Sequence, residues 1–278
     1  MARLRISTIS YLNTAPLMWD FEHGAAGRDF DISYTLPSAC ARSLQAGTAD
    51  IGIIPAAAYT QIPGLEILPD VAIASRRVVR SILLVSRVPV DQIQTVALDT
   101  SSMTSVALTK ILFEKWRGGG RTFTSMAPQL DQMLAAHDAG LLIGDPALQV
   151  DRNRYYTLDL AEEWVRHTGK SFVFAFWAVR HEAMQRTQQP LDLAAIFQQS
   201  RDHGLEPASL DRICREWAPR LGLTEPDVRS YLTENIYYHL DPPCIEGLRL
   251  FYRYAAEIGA LPEAPEIRFT EAPAAIRA

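Results

Sequence analysis

The chain has 278 residues, 48% of them hydrophobic and 21% charged, and a net charge of −5. Such totals describe a globular protein of one large domain or two modest lobes. No long run of one sign is present, which excludes a nucleic-acid footprint and a polybasic membrane face and leaves a small soluble ligand as the expected partner. Cys40, Cys214 and Cys244 are widely spaced, form no CxxC pair or zinc pattern, and read as buried thiols in a reducing compartment. Arg3 and Arg5 are followed by Ser7, Thr8, Ser10, Asn13 and Thr14 rather than by an apolar core, so no signal peptide is expected. No stretch reaches the roughly 18 apolar residues needed to span a bilayer, and a cytoplasmic protein is expected.

Short apolar runs alternate with helical patterns through the first two thirds of the chain. Strands are expected at Leu4–Ile9, Phe30–Leu36, Asp50–Pro55, Ala72–Arg77, Ser81–Ser86, Thr95–Thr100, within Ala139–Leu148, and at Phe172–Arg180. Helices are expected at Thr14–Glu22, with Pro16 in the first turn, at Ala39–Ala46 between Ser38 and Gly47, and at Thr104–Trp116. Arg117–Arg121, reading RGGGR, is a flexible break. From Leu191 onward the pattern is helical: Leu191–Ser200, Pro207–Trp217, Glu225–Leu240 and Cys244–Ile258, the last with a Leu248, Phe251, Ala255, Ile258 core stripe. The tail after Pro262 is expected to wrap the surface.

Alternation of this kind implies an α/β fold, and continuous apolar strands imply sheets covered on both faces. Two segments read as crossings between lobes, Ser86–Gln92 going out and Phe172–Arg180 returning. Lobe 1 would comprise residues 1–87 and 177–278 and lobe 2 residues 88–176, with a ligand cleft between them.

No GxGxxG, P-loop, GxSxG or HExxH motif is present, and the six histidines do not cluster at ligand spacing, so neither a metal nor a cofactor is expected. What recurs is a strand running into a turn of small hydroxyl or amide residues where a helix should begin. Such turns occur at Ser10–Thr14, Asp99–Ser105, Gly144–Pro146 and, less clearly, His167–Ser171. Helix N-termini present unpaired N–H groups, and neighbouring hydroxyls add donors, so these turns suit carboxylates or phosphates. Asn13 and Thr14 fit equally as helix caps. Ser101, Ser102, Thr104 and Ser105 are too many for a single cap and point to ligand contact, whereas Asp145 before Pro146 reads as a cap. Arg76, Arg77 and Arg80 could clamp carboxylates, although surface exposure suits at least two of them, and Asp50 reads as a turn residue. The residues alone thus describe a two-lobed binder of a small anion and leave enzyme and binding module both open.

SYLNTAPL at Ser10–Leu17 resembles the N-terminal signature of the chorismate dehydratases of the futalosine route to menaquinone. The resemblance continues in register through Ala46–Tyr59, Arg80–Ser86, Leu98–Leu112, Leu141–Leu148 and Asp159–Arg180, about two thirds of the chain. It implies a type II periplasmic-binding-protein-like fold and a lyase that removes water from the dicarboxylate chorismate to give 3-[(1-carboxyvinyl)oxy]benzoate. It also implies Asn13 and Ser81 as catalytic positions, with Tyr11, Leu12, Thr14, Arg80, Ser101, Ser102, Thr104, Ser105, Gly144, Asp145 and Thr168 binding substrate. Neither Asn13 nor Ser81 is a good base, so the substrate's own enolpyruvyl carboxylate is expected to take the proton. The related 1,4-dihydroxy-6-naphthoate synthases carry a Cys-Pro-Asn-Asp-like first loop and a His-Glu pair where this chain reads Tyr11–Thr14 and Gly144-Asp145, and are the less similar alternative. A non-catalytic solute-binding protein is the alternative from another class.

Overall fold

A computed structural model describes residues 3–186 and 191–270. Its strands are β1 (Leu4–Ile9), β2 (Phe30–Thr35), β3 (Ile51–Pro55), β4 (Leu65–Ser75), β5 (Ile82–Ser86), β6 (Thr95–Asp99), β7 (Thr122–Met126), β8 (Ala139–Ile143), β9 (Tyr156–Asp159) and β10 (Phe172–Arg180). The helices are α1 (Trp19–His23), α2 (Pro37–Gln45), α3 (Thr104–Trp116), α4 (Leu130–Ala136), α5 (Asp145–Leu148), α6 (Leu160–Thr168), α7 (His181–Arg186), α8 (Leu193–Gly204), α9 (Pro207–Leu221), α10 (Glu225–Ser230) and α11 (Pro242–Glu257).

Two five-stranded sheets form the two lobes, in the orders β2-β1-β3-β10-β4 and β7-β6-β8-β5-β9. They share one plan. Three parallel strands are followed by an antiparallel one, which is β10 in the first sheet and β5 in the second. The sheets are therefore mixed. β5 and β10 come from the chain's two passages between lobes, and each enters its sheet from the reverse direction.

The outward passage runs from Ser75 to Ile82, earlier than the expected Ser86–Gln92, because Ile82–Ser86 pairs with both β8 and β9 and belongs wholly to the second sheet. β10 pairs along its whole length with β3 and β4, so the return passage precedes Phe172. The strand is buried on both faces, which is why it reads as one apolar run. Trp177 packs edge-on against Phe197 of α8, while Phe172 packs against Phe251 of α11.

The first expected helix is a 3₁₀ turn, Leu12–Met18, continued by α1. Its end is held by Ser200 of α8, whose buried hydroxyl donates to the Leu17 carbonyl and accepts from the Asp20 N–H. Glu225–Leu240 is helical only to Asn235. After α10, Tyr231–Asn235 form a π-helical turn and the chain then extends, with Tyr237 exchanging backbone hydrogen bonds with Ala74. β7 and β9 carry no apolar alternation and were not expected. Asp50 is more than a turn residue, since its carboxylate takes the Arg5 guanidinium and backbone N–H. The tail follows the surface to Thr270 beside Ile67. Its last eight residues lie outside the described part. Cys40, Cys214 and Cys244 are buried and free. Among the described residues no helix is long and apolar enough to cross a membrane.

Ser200→Ala would leave two backbone groups at the end of the 3₁₀ turn without their partner. A stability loss of about 1–3 kcal/mol is expected, read as a lower urea midpoint at unchanged m-value.

Candidate active site

Between the lobes lies a narrow, closed-down cleft with a cavity volume of about 50 Å³. Its walls are largely apolar, from Ile9, Pro37, Pro55, Ile73, Val79, Ile82, Ile143, Phe174 and Ala175. Its polar groups are Tyr11, Asn13, Ser81, Ser102, Thr104 and Ser105, and the backbone at Gly144 completes it. None of these lining residues is Lys, Arg or His.

Asn13 sits in the 3₁₀ turn after β1, nearly buried, and its carbonyl oxygen accepts from the Thr14 hydroxyl at 3.3 Å. Ser81 immediately precedes β5, and its backbone carbonyl accepts from the Gly144 N–H at 2.8 Å. Its hydroxyl oxygen accepts from the phenol of Tyr231 at 2.8 Å. Asn13 lies close enough to that phenol to bear on its electrostatics, and the hydrogen bond itself is to Ser81. Burial raises the Tyr231 pKa well above that of a free tyrosine and keeps it a neutral donor.

The segment presenting Ser81 is fixed by Asp159, the N-cap of α6. Its carboxylate accepts from the N–H groups of Val79, Arg80, Ala161 and Glu162. The π-helical element holds the same segment from behind, through Asn235 to the Val78 carbonyl and Ser230 to the Arg80 guanidinium. Arg80 adopts a positive φ of 63°. Its side chain points toward Ser230 and does not line the cleft, and Arg76 and Arg77 are exposed.

Three contacts tie the lobes together beside the cleft. Leu12 N–H donates to Asp145 Oδ1 at 3.0 Å, Ser38 N–H to the Ser101 carbonyl at 3.0 Å, and Ala57 N–H to Thr104 Oγ1 at 3.1 Å. Thr104 in turn donates to the Phe174 carbonyl, so both hydrogen-bonding directions of its hydroxyl are used within the protein. Ser102 accepts from the Ser105 N–H in the first turn of α3. Ser101 is tied to Asp99 through its N–H and hydroxyl, which leaves the other Asp99 oxygen buried without a partner.

Of the expected binding residues, Tyr11, Ser102, Thr104, Ser105 and Gly144 line the cleft together with Asn13 and Ser81. Leu12, Thr14, Ser101 and Asp145 lie behind it, and Arg80 faces away. Thr168 is elsewhere. It ends α6 rather than opening a helix, because Gly169 takes a left-handed C-cap and the Thr168 hydroxyl is shared between the Trp164 carbonyl and the Lys170 N–H. Tyr231 and Asp159 had no signal as site residues in the sequence. Tyr231 reads as one apolar position of a helix 150 residues beyond Ser81, and Asp159 as a turn acid.

Gly144 is required twice, for its φ of 63° and because an added Cβ would sit 2.5 Å from the Tyr11 ring across the cleft. Gly144→Ala is expected to displace Tyr11 and lower stability by about 1–3 kcal/mol, measured by thermal unfolding. Burial pushes the Asp145 carboxyl up from 3.8 to about 6, against the Leu12 N–H that favours its charged form. The fold therefore binds this proton more tightly than the unfolded chain does. The corresponding stability is full below pH 3.8 and is lost as pH rises through about 6. Urea titrations across that window should show a falling component in the native protein that Asp145→Asn lacks.

The structure is similar to a protein of Archaeoglobus fulgidus (TM-score 0.70, 16% identity, covering 93% of this chain and 98% of that one). It is similar also to the periplasmic aliphatic sulphonate binding protein of Escherichia coli (TM-score 0.66, 16% identity, 97% and 92%). These likenesses identify the fold as that of periplasmic binding proteins. In sequence the chain is 30% identical to the chorismate dehydratase of Thermus thermophilus over 273 residues, 92% of this chain and 94% of that protein. Residues 4–257 match the menaquinone biosynthesis family, and the chain belongs to that family.

Proposed function

We propose that this protein is a chorismate dehydratase, a hydro-lyase that converts chorismate to 3-[(1-carboxyvinyl)oxy]benzoate and water in the cytoplasm. The observation that carries the reading is the 30% identity to the Thermus thermophilus enzyme across 92% of the chain. The cleft supports it chemically.

The reaction breaks the C3–H and C4–O bonds of the cyclohexadiene ring and forms the third double bond of a benzene ring. Aromatisation supplies the driving force, so the protein has to hold the ring, direct one proton and help hydroxide leave. Apolar walls suit the ring. Both substrate carboxylates would meet neutral donors, since the side chains lining the cleft include hydroxyls and an amide and no cation. That matters for the base. A carboxylate paired with Arg or Lys loses basicity, whereas one held by neutral groups out of water keeps more of it. The enolpyruvyl carboxylate is thereby left able to remove the C3 proton, oriented by Asn13, while Ser81 donates to the departing C4 hydroxyl.

Likeness to a sulphonate-binding protein favours one competing reading, a binder without catalysis. Incubation with chorismate separates the two. The enzyme produces an aromatic absorbance and the mass loss of one water, and a binder returns chorismate unchanged. Asn13→Ala and Ser81→Ala are each expected to reduce kcat by roughly 100-fold or more with the circular dichroism spectrum preserved. Turnover at the native level in either variant would remove that residue from the mechanism.

A further inference from the structure

Ser81 would act on substrate as a hydrogen-bond donor, yet a serine hydroxyl can rotate and can equally accept. Its direction has to be set by something outside the cleft. The hydroxyl oxygen receives the Tyr231 phenol proton at 2.8 Å, and Tyr231 is 1% exposed and absent from the cleft lining. With the phenol proton on one of its two lone pairs, the Ser81 hydroxyl turns its own proton away from Tyr231 and toward the cleft. On the cleft side the Thr14 hydroxyl donates to the Asn13 carbonyl oxygen, which turns the Asn13 amide nitrogen away from Thr14. Two oriented hydrogen bonds, Thr14 to Asn13 and Tyr231 to Ser81, thus set polar groups at the cleft.

We infer that Tyr231 is a positioning residue whose phenol fixes the Ser81 hydroxyl as a donor into the cleft. The inference rests on the reading of Ser81 as a residue that acts on substrate. The π-helical turn is the device that delivers it. Tyr231 opens that turn and Asn235 closes it, and the two bind opposite ends of the same segment, at Ser81 and at the Val78 carbonyl. A wider helical turn of this kind shifts side chains off the regular helical register, and such turns are frequent at functional sites. Of the charged groups, Asp145 and Arg80 bear on the phenol, and the buried, uncharged Tyr238 has no hydrogen-bond partner of its own.

The test is a double-mutant cycle. Tyr231→Phe keeps the ring and removes only the donor. It should lower kcat about tenfold, the loss expected for one hydrogen bond, while leaving KM within about twofold. In a Ser81→Ala background the same change should cost nothing further, because the hydroxyl it orients is gone. Tyr156→Phe, at an exposed ring, serves as the control and should change neither parameter. Native kcat in Tyr231→Phe, or losses that multiply in the double variant, would overturn the inference. A second measurement needs no substrate. In protein labelled at tyrosine 13Cζ, Ser81→Ala should shift the Tyr231 resonance, assigned by its absence in Tyr231→Phe. An unmoved resonance overturns the inference whatever the substrate is. A shifted resonance in a protein that leaves chorismate intact supports the hydrogen bond and sinks the dehydratase reading instead.

Discussion

The carboxylate of Asp159 holds four backbone N–H groups from two segments, two at the outward crossing and two at the start of α6. Both segments are passages of the chain near the boundary between lobes, and neither has a sheet partner of its own for these donors. Left unpaired in a buried place, each N–H would cost on the order of 1–3 kcal/mol. Meeting all of them with one acid fixes the crossing into a single shape. That shape includes the left-handed residue Arg80, a conformation that costs a non-glycine residue about 1–3 kcal/mol and persists only where its surroundings enforce it. Ser81 faces the cleft because Arg80 turns the chain there. The orientation of Ser81 is thus decided by a carboxylate that holds the two residues before it and does not itself line the cleft.

The cleft's polarity follows a consistent logic. A protein that merely captured dianions would gain from cations in its walls. Here the lining is neutral, and charge is kept to the periphery, with Arg76 on Asp241 and Arg5 on Asp50. The acids nearest the cleft, Asp99 and Asp145, are both pushed toward their neutral forms by burial. An environment of hydroxyls, amides and dipoles can orient an anion without quenching it, which suits a reaction whose base arrives with the substrate.

Local signals in the sequence were good wherever one element's own residues decide its structure. β10 and α3 occupy the expected spans because a doubly buried strand and a helix buried over most of its surface carry that character in their own residues. The turn at Ser10–Thr14 and the serines of Asp99–Ser105 were visible as unusual clusters, and Tyr11, Asn13, Ser102 and Ser105 of them meet at the cleft. The failures share a different cause. Thr168 looks like the residues of those turns, yet whether a hydroxyl opens or closes a helix depends on Gly169 adopting a left-handed cap. Ile82–Ser86 reads as a strand in either lobe, and only pairing with β8 and β9 assigns it. Tyr231 has no motif at all. Its role is set by a π-helical turn and by a partner 150 residues away, both products of tertiary packing. Resemblance supplied Asn13 and Ser81, whose chemistry an isolated asparagine and serine do not announce.

Thr104 lines the cleft, so it is tempting to count its hydroxyl among the groups that greet a ligand. It is instead the rivet of the molecule. The hydroxyl belongs to the second lobe and is clasped on either side by the first, at Ala57 and Phe174. Beside it stand two further ties, Leu12 on Asp145 and Ser38 on Ser101, but only at Thr104 of the three does one side chain serve a donor and an acceptor of the opposite lobe at once. Losing that hydroxyl would strand the Ala57 N–H and the Phe174 carbonyl together, at the place where the two lobes meet.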